Sequence, residues 1–151
     1  MESLCLKIDQ IGTPAEVLQL SARELPSLSG HEVRVRMRYA PINPADLNII
    51  EGNYGRPTQP PVVIGTEGAG EVEEIGPDVE SLSKGDLVIP LEGGGCWAQH
   101  MTAAEHHFAK LPESLDRVQA SMLRINPLTA WLILKNYLRL DKGLSLIHIS
   151  E

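Results

Sequence analysis

Apolar and polar residues alternate in short runs along the first part of the chain, and glycines and prolines separate these runs. The clearest run is 33–39, in which Val33, Val35, Met37 and Tyr39 alternate with three arginines. Strict alternation predicts a β-strand with one face towards a core and the other towards water. The other predicted strands are residues 4–8, 62–64, 71–75, 87–91, 97–102 and 107–111. This spacing is typical of a sandwich or barrel, and we expect a partly closed β-barrel.

The hydrophobic pattern takes on the helical period after about residue 113. Ser114 can cap a short helix, whose apolar positions are Leu115, Val118, Met122 and Leu123. A second helix is predicted over 127–140, because proline suits a first helical turn. Its apolar positions are Leu128, Trp131, Leu132, Leu134 and Leu138. The predicted fold class is therefore mainly β with short helices (α+β).

Composition and charge narrow the classes of function. The 151 residues are 42% hydrophobic and 22% charged, as in globular domains. The 13 Lys and Arg against 20 Asp and Glu leave a net charge of -7, so nucleic acid is not an expected partner. No apolar run approaches ~20 residues, and no membrane span or secretory signal is predicted. The cysteines, Cys5 and Cys96, fit a reducing compartment, and we predict a cytoplasmic location.

Histidines and cysteines are the first candidates for a metal site or a nucleophile, and their positions in the sequence favour neither. His106 and His107 are adjacent, so in a strand their side chains point to opposite faces. Cys96, His100 and His31 are scattered along the chain. We therefore predict no zinc site and an unreactive Cys96. The glycine run at 92–97 leads into a predicted strand, which favours a hairpin over a phosphate cradle.

The segment 42–55 concentrates polar side chains between two predicted strands. It holds three asparagines, two acids and Tyr54, and proline and glycine lie near its ends. A polar, conformationally restricted loop on a β scaffold is where functional sites usually lie. The Tyr54 phenol can donate a hydrogen bond or a proton, although packing alone also explains a tyrosine here.

Three markers resemble the medium-chain dehydrogenase/reductase superfamily, whose N-terminal catalytic domain is a GroES-like barrel. They are residues 40–46 (APINPAD), 63–76 (VIGTEGAGEVEEIG) and 84–88 (KGDLV), and the similarity extends over about 4–143. Zinc-dependent members of this superfamily carry a cysteine beside the aspartate of the first marker and a histidine beside the glutamate of the second. This chain has Ala45 and Thr66 there, so the resemblance implies an enzyme without catalytic zinc.

Within the zinc-independent group, the chain looks like the 2-enoyl thioester reductases at two places. Gly52-Asn53-Tyr54 is similar to the end of the loop that presents their catalytic tyrosine, and 126–131 (NPLTAW) to the start of their cofactor-side helix. The resemblance implies that Tyr54 assists protonation, that Asn126 contacts NADP(H) and that Thr129 lies near the nicotinamide. It also places Trp97 near the substrate cleft, although a core tryptophan explains that residue equally well.

The implied reaction takes hydride from NADPH to the β-carbon of an α,β-unsaturated acyl thioester and a proton to its α-carbon. Thr66 departs from the residue expected in mitochondrial members and resembles the wider quinone reductase group. An NADPH:quinone oxidoreductase is therefore the second hypothesis, and the small-molecule partner is an acyl thioester or a quinone. A free-standing GroES-like binding or assembly module without catalysis is the third.

The same resemblance divides the chain. Residues 1–125 are expected to form the GroES-like catalytic domain, and 126–143 a linker helix that leads into a missing Rossmann domain. Residues 144–151 are expected to be foreign, because SLIHISE resembles translated sequencing-adapter DNA. On this interpretation the chain alone is inactive, and the full protein is a homodimer.

Overall fold

The structure, a computed structural model, describes residues 1–55 and 57–137. Eight strands lie within these residues: β1 (Glu2–Ile8), β2 (Leu18–Glu24), β3 (Glu32–Tyr39), β4 (Val62–Val63), β5 (Ala69–Ile75), β6 (Leu87–Pro90), β7 (His100–Ala104) and β8 (Phe108–Lys110). The helices are α1 (Pro14–Val17), α2 (Pro44–Ile50), α3 (Arg117–Ala120) and α4 (Asn126–Leu132). A 3-10 turn at Glu105–His107 and a π-helical turn at Ile133–Tyr137 complete the described elements.

The strands form two antiparallel sheets. The smaller has the order β2-β1-β4, and the larger has the order β7-β3-β5-β6-β8. A bridge between Cys5 and Ala98 joins them, and the Leu6 N–H donates to the Trp97 carbonyl at 2.8 Å. The described strands do not close into a complete barrel. The predicted fold class, mostly strands with a few short helices, is confirmed.

Three buried apolar clusters lie in the described structure, and two of them include the centres of the sheets. Val33 and Val35 of β3 pack with Val72, Val88 and Phe108 inside the larger sheet. A second cluster lies between the smaller sheet and α2, and it consists of Ile8, Val17, Ile50 and Ile64. Burial of each such side chain contributes roughly 1.5–3 kcal/mol. The second cluster therefore fixes α2 against the sheet, and α2 precedes Tyr54.

Strand β3 departs from the strict alternation expected of it. Arg34 is only 4% exposed, and its guanidinium donates to the Glu74 carboxylate and to the Pro26 carbonyl. Tyr39, expected on the core face, is 46% exposed. The pairing of β3 with β5 shifts register at Arg34/Val35 and again at Met37/Tyr39. Such irregularities re-aim side chains, so the alternation holds at the centre of the strand and fails at its ends.

Several boundaries also differ from the predictions. Asp116, not Ser114, caps α3, because the Gln119 N–H donates to Asp116 Oδ1 at 2.9 Å. Helix α4 begins one residue before Pro127, and a π-helical turn follows it. The predicted strand at 97–102 begins only at His100, and β2 was not predicted. The last part of the predicted helix, residues 138–140, the rest of the predicted linker, 141–143, and the tail 144–151 lie outside the described residues.

Helix α4 presents its apolar side chains to solvent. None of its residues is buried, and Trp131 is 55% exposed.

None of the helices in the described part of the chain has the length and the apolar composition that a membrane span requires.

Candidate functional site around Tyr54

The sequence predicted a loop over 42–55, but half of this segment, Pro44–Ile50, forms helix α2. Asn43 is the N-cap, and Pro44 occupies the first turn, where its missing N–H costs nothing. The Asp46 carboxylate reaches back to accept the Asn43 N–H at 2.8 Å through Oδ2. The proline and asparagine that indicated a loop therefore mark the start of a helix.

The C-terminal end of α2 turns sharply and leads to Tyr54. Gly52 has a φ of +74°, and its N–H donates to the Ile49 carbonyl at 3.2 Å. The Asn53 N–H donates to the Asn48 carbonyl at 2.8 Å, which completes a Schellman motif. A Cβ at Gly52 would lie 2.8 Å from the Ile11 Cγ2. Glycine is thus required at this turn by both its backbone conformation and the available space.

Tyr54 lies beside a cleft of about 590 Å³ and is 50% exposed. The opposite walls come from parts of the chain that are distant in sequence. The lining includes Ala45, Ile49, Thr66, Gly93, Arg124 and Ile125. Among the described lining residues there is one cation, Arg124, and no carboxylate. The lining is mostly apolar with a few polar side chains, which suits a ligand that has an apolar body and few hydrogen-bonding groups.

Two buried carboxylates connect the walls of the cleft. Asp46 of α2 is fully buried, and its Oδ1 accepts the Thr66 N–H at 2.9 Å. Glu67 is 1% exposed; its Oε1 accepts from Asn43 Nδ2 at 3.1 Å and its Oε2 from the Ile125 N–H at 3.1 Å. Each buried carboxylate oxygen thus has a donor. The pair connects α2, the segment after β4 and the residue that precedes α4.

Thr66 lies at the centre of this network. Asp46 holds its N–H, and the Arg124 guanidinium donates to its carbonyl. The preceding residue, Gly65, has a φ of +103°, and a Cβ there would lie 2.5 Å from the Trp97 backbone nitrogen. The backbone at Thr66 is therefore fixed by hydrogen bonds at its N–H and its carbonyl and by the packing of Gly65 against Trp97.

Trp97 does not line the Tyr54 cleft. Its indole Nε1 donates to the Pro41 carbonyl at 3.0 Å, and its ring packs against Gly65. It lines a second, mostly apolar groove of about 620 Å³, together with Leu4, Leu20, Met37, Tyr39 and Ile42. These contacts fit a packing role for Trp97 better than a position in the Tyr54 cleft.

Asn126 and Thr129 lie at the start of α4, next to the cleft but outside its lining. Both are exposed, and residues three apart share one face of a helix. The Thr129 N–H donates to the Ile125 carbonyl at 2.9 Å. An amide and a hydroxyl on one open face fit the edge of a nucleotide cofactor, and Glu67 positions that face through Ile125.

The cysteine nearest the network is Cys96, and it is buried. Burial raises the pKa of its thiol to about 12, and the nearby Asp46 and Glu67 carboxylates act in the same direction. The thiol is therefore protonated and a poor nucleophile, as the sequence indicated. Within residues 1–55 and 57–137, no three or more His, Cys, Asp and Glu side chains are grouped so that they could hold a metal ion. The zinc-free enzyme stays a prediction.

Sequence reasoning missed the roles of Asp46, Glu67 and Arg124. One signal was present: Glu67 stands in an otherwise uncharged, glycine-rich stretch, where an acid is rarely left without a buried partner. Arg124 gave no local signal, because its acceptors Thr66 and Leu91 are 58 and 33 residues away.

The chain matches one family model, the alcohol dehydrogenase GroES-like domain, over residues 29–113. It is 41% identical over 137 residues to the mitochondrial enoyl-[acyl-carrier-protein] reductase of Mus musculus. That match covers 90% of this chain and 37% of the mouse protein.

Two solved structures are similar in fold. The Etr1p/NADP/crotonyl-CoA complex gives a TM-score of 0.88 at 32% identity, over 95% of this chain and 46% of Etr1p. A Bacillus thuringiensis protein named as an NADPH:quinone reductase gives 0.84 at 35% identity, over 93% and 43%. The chain therefore spans less than half the length of each relative.

Proposed function

We propose, from the premise that this chain belongs to the alcohol dehydrogenase GroES-like domain family, that it is the substrate-binding and protonating part of an NADPH-dependent 2-enoyl thioester reductase. The observation that supports this most directly is the position of Tyr54. A Schellman turn that requires Gly52 holds it beside a cleft without carboxylates among its described lining residues. Residues 1–125 would form the catalytic domain and residues 126–143 the linker helix that leads into a nucleotide-binding domain.

The cleft would bind the α,β-unsaturated acyl group, with its carbonyl among the polar side chains of the lining. NADPH, when bound, supplies the hydride that the β-carbon receives. Asn126 and Thr129 would hold one side of this cofactor, on the face of α4 that Glu67 positions through Ile125. The lining carries apolar side chains such as Ile49 and Ile125, which suit an acyl chain and exclude water.

Charge develops on the thioester oxygen when the β-carbon is reduced, and the α-carbon then needs a proton. Tyr54, at the rim, would donate or relay that proton from its phenol. Its 50% exposure lets solvent restore the proton between turnovers. The buried carboxylates of Asp46 and Glu67 would act on structure, because their oxygens accept the hydrogen bonds that hold the walls of the cleft together.

Quinone reduction is the second candidate, and a specific observation favours it. Thr66 resembles the quinone reductase group, and the B. thuringiensis protein shares the fold at 35% identity. A quinone is also a conjugated carbonyl compound, so the same cleft would accept it. The cytoplasmic location and the homodimer stay predictions; the mouse relative is named as mitochondrial.

The test is an NADPH oxidation assay on the full gene product that carries this chain, with crotonyl thioester in one reaction and a quinone in the other. We expect the thioester to be reduced with the higher kcat/KM, and the 151-residue chain alone to be inactive. Faster reduction of the quinone would show that the substrate is a quinone and not an enoyl thioester. A catalytically silent protein whose isolated chain assembles into a ring would instead favour the assembly module.

A further inference from the structure

Two buried polar groups of residues that line the Tyr54 cleft have no hydrogen-bond partner within residues 1–55 and 57–137, the Thr66 hydroxyl and the Arg124 Nε, and only the hydroxyl is uncharged. The backbone N–H and carbonyl of Thr66 are both engaged, by Asp46 and Arg124. Its hydroxyl Oγ1 is buried, and no group among residues 1–55 and 57–137 hydrogen-bonds to it. Buried hydroxyls in folded proteins nearly always have a partner, because an unpaired one destabilises the fold. Within the described part of the chain, the Thr66 hydroxyl is therefore a donor without an acceptor.

We infer that the Thr66 hydroxyl donates a hydrogen bond to the conjugated carbonyl oxygen of the substrate in the Tyr54 cleft. This inference rests on the proposed function and identifies a donor for the oxygen that gains charge during reduction. The chemistry is shared by an acyl thioester and a quinone, since each presents a carbonyl conjugated to the reacting carbon. Tyr54 and Thr66 would then have separate roles, one for the proton and one for the oxygen.

The local structure explains how a buried hydroxyl becomes available. Thr66 lines the cleft, and a rotation of about 120° about its χ1 moves the hydroxyl to another staggered position, such as the one that its methyl group occupied. No hydrogen bond of the hydroxyl is broken by this rotation, because it has none among the described residues. The backbone is fixed by Asp46, by Arg124 and by the packing of Gly65 on Trp97. Only one bond has to turn, so the donor is nearly pre-organised.

The test compares Thr66→Val with Thr66→Ser, and uses Thr102→Val as the matched control. Thr102 of β7 also has a buried hydroxyl without a partner in the described structure, and it does not line the Tyr54 cleft. Both valine variants should raise the melting temperature of the 151-residue chain, because each removes an unpaired buried hydroxyl. If the Thr66 hydroxyl instead makes a hydrogen bond within the protein, Thr66→Val should lower the melting temperature. That result would overturn the inference.

Activity separates the two valine variants. In the full gene product, Thr66→Val should lower kcat by about a hundredfold and change KM less, because the hydrogen bond strengthens as the oxygen gains charge. Thr66→Ser should restore most of the rate, and Thr102→Val should leave it unchanged.

The thioester and quinone reactions distinguish the sources of failure. If Thr66→Val lowers the rate of quinone reduction alone, the role of Thr66 stands, and the substrate is a quinone and not an acyl thioester. Unchanged kinetics of Thr66→Val with an active substrate would overturn the inference while the proposed function stands. A protein that reduces neither compound would overturn both.

Discussion

Glu67 and Ile125 are joined by a hydrogen bond in which the Ile125 backbone N–H donates to Glu67 Oε2 at 3.1 Å. The two residues are 58 positions apart, and Ile125 immediately precedes α4. The other carboxylate oxygen of Glu67 binds Asn43, the N-cap of α2. One buried side chain thus sets the relative positions of the helix that leads to Tyr54 and the helix that carries Asn126.

Truncation of Glu67 should detach α4 from the cleft. Glu67→Ala leaves the Ile125 N–H and the Asn43 amide without their acceptor, and we expect a loss of about 3 kcal/mol in the free energy of unfolding. Urea unfolding measures this loss, and hydrogen exchange should speed up at the Ile125 amide. Glu113→Ala, at an exposed position, is the control and should change neither. An Ile125 amide that stays protected in Glu67→Ala would show that other contacts hold α4.

Substitution of Gly52 should disturb the turn that places Tyr54. Gly52→Ala puts a Cβ at a φ of +74° and 2.8 Å from Ile11, so we expect a loss of about 1–2 kcal/mol in the free energy of unfolding. Gly55→Ala is a matched control three residues later, because a Cβ there meets nothing within 4 Å. Thermal unfolding of the two variants compares them directly. Equal stability of both would mean that the turn is not what fixes this segment.

Glu105 should make the fold sensitive to acid. The Ser81 hydroxyl and N–H, with the Glu80 N–H and His31, donate to its carboxylate and lower its pKa to about 2 from an ordinary 4.5. Because the folded pKa is lowered, this stabilisation is present above pH 4.5 and is lost as the pH falls towards 2. Glu105→Gln should remove that pH dependence.

Urea unfolding at a series of pH values from 6 to 2 measures the effect. The free energies of unfolding of wild type and Glu105→Gln should differ above about pH 4.5 and converge towards pH 2. Glu113→Gln should follow the wild type throughout. A constant difference across this range would contradict the role given to the Glu105 carboxylate.

The sequence predicted the larger sheet well because its central positions obey simple patterns. Val33 and Val35 alternate with polar residues and are fully buried. Strand β2 was missed although Leu18, Leu20 and Ala22 alternate with polar residues, and none of its residues is buried. Helix α2 was taken for a loop because Pro44 and Gly55 bound a polar segment, and a proline is also favoured in the first turn of a helix, where Pro44 lies.

The candidate site was only partly predictable for a different reason. Tyr54 was identified from its local segment and from a resemblance, and it lies in the cleft. The network of Asp46, Glu67 and Arg124 joins segments 20 to 58 residues apart. No local period encodes such contacts, because each depends on how the two sheets and α2 pack together.

The central claim is that Tyr54 acts in proton transfer, and its most direct test is the rate of crotonyl thioester reduction by the full gene product with Tyr54→Phe. The variant removes the hydroxyl alone, so kcat should fall about a hundredfold or more. Tyr39→Phe is the control, because Tyr39 is also about half exposed but lines the second groove instead. That control should keep the wild-type kcat. A wild-type kcat in Tyr54→Phe would contradict the account.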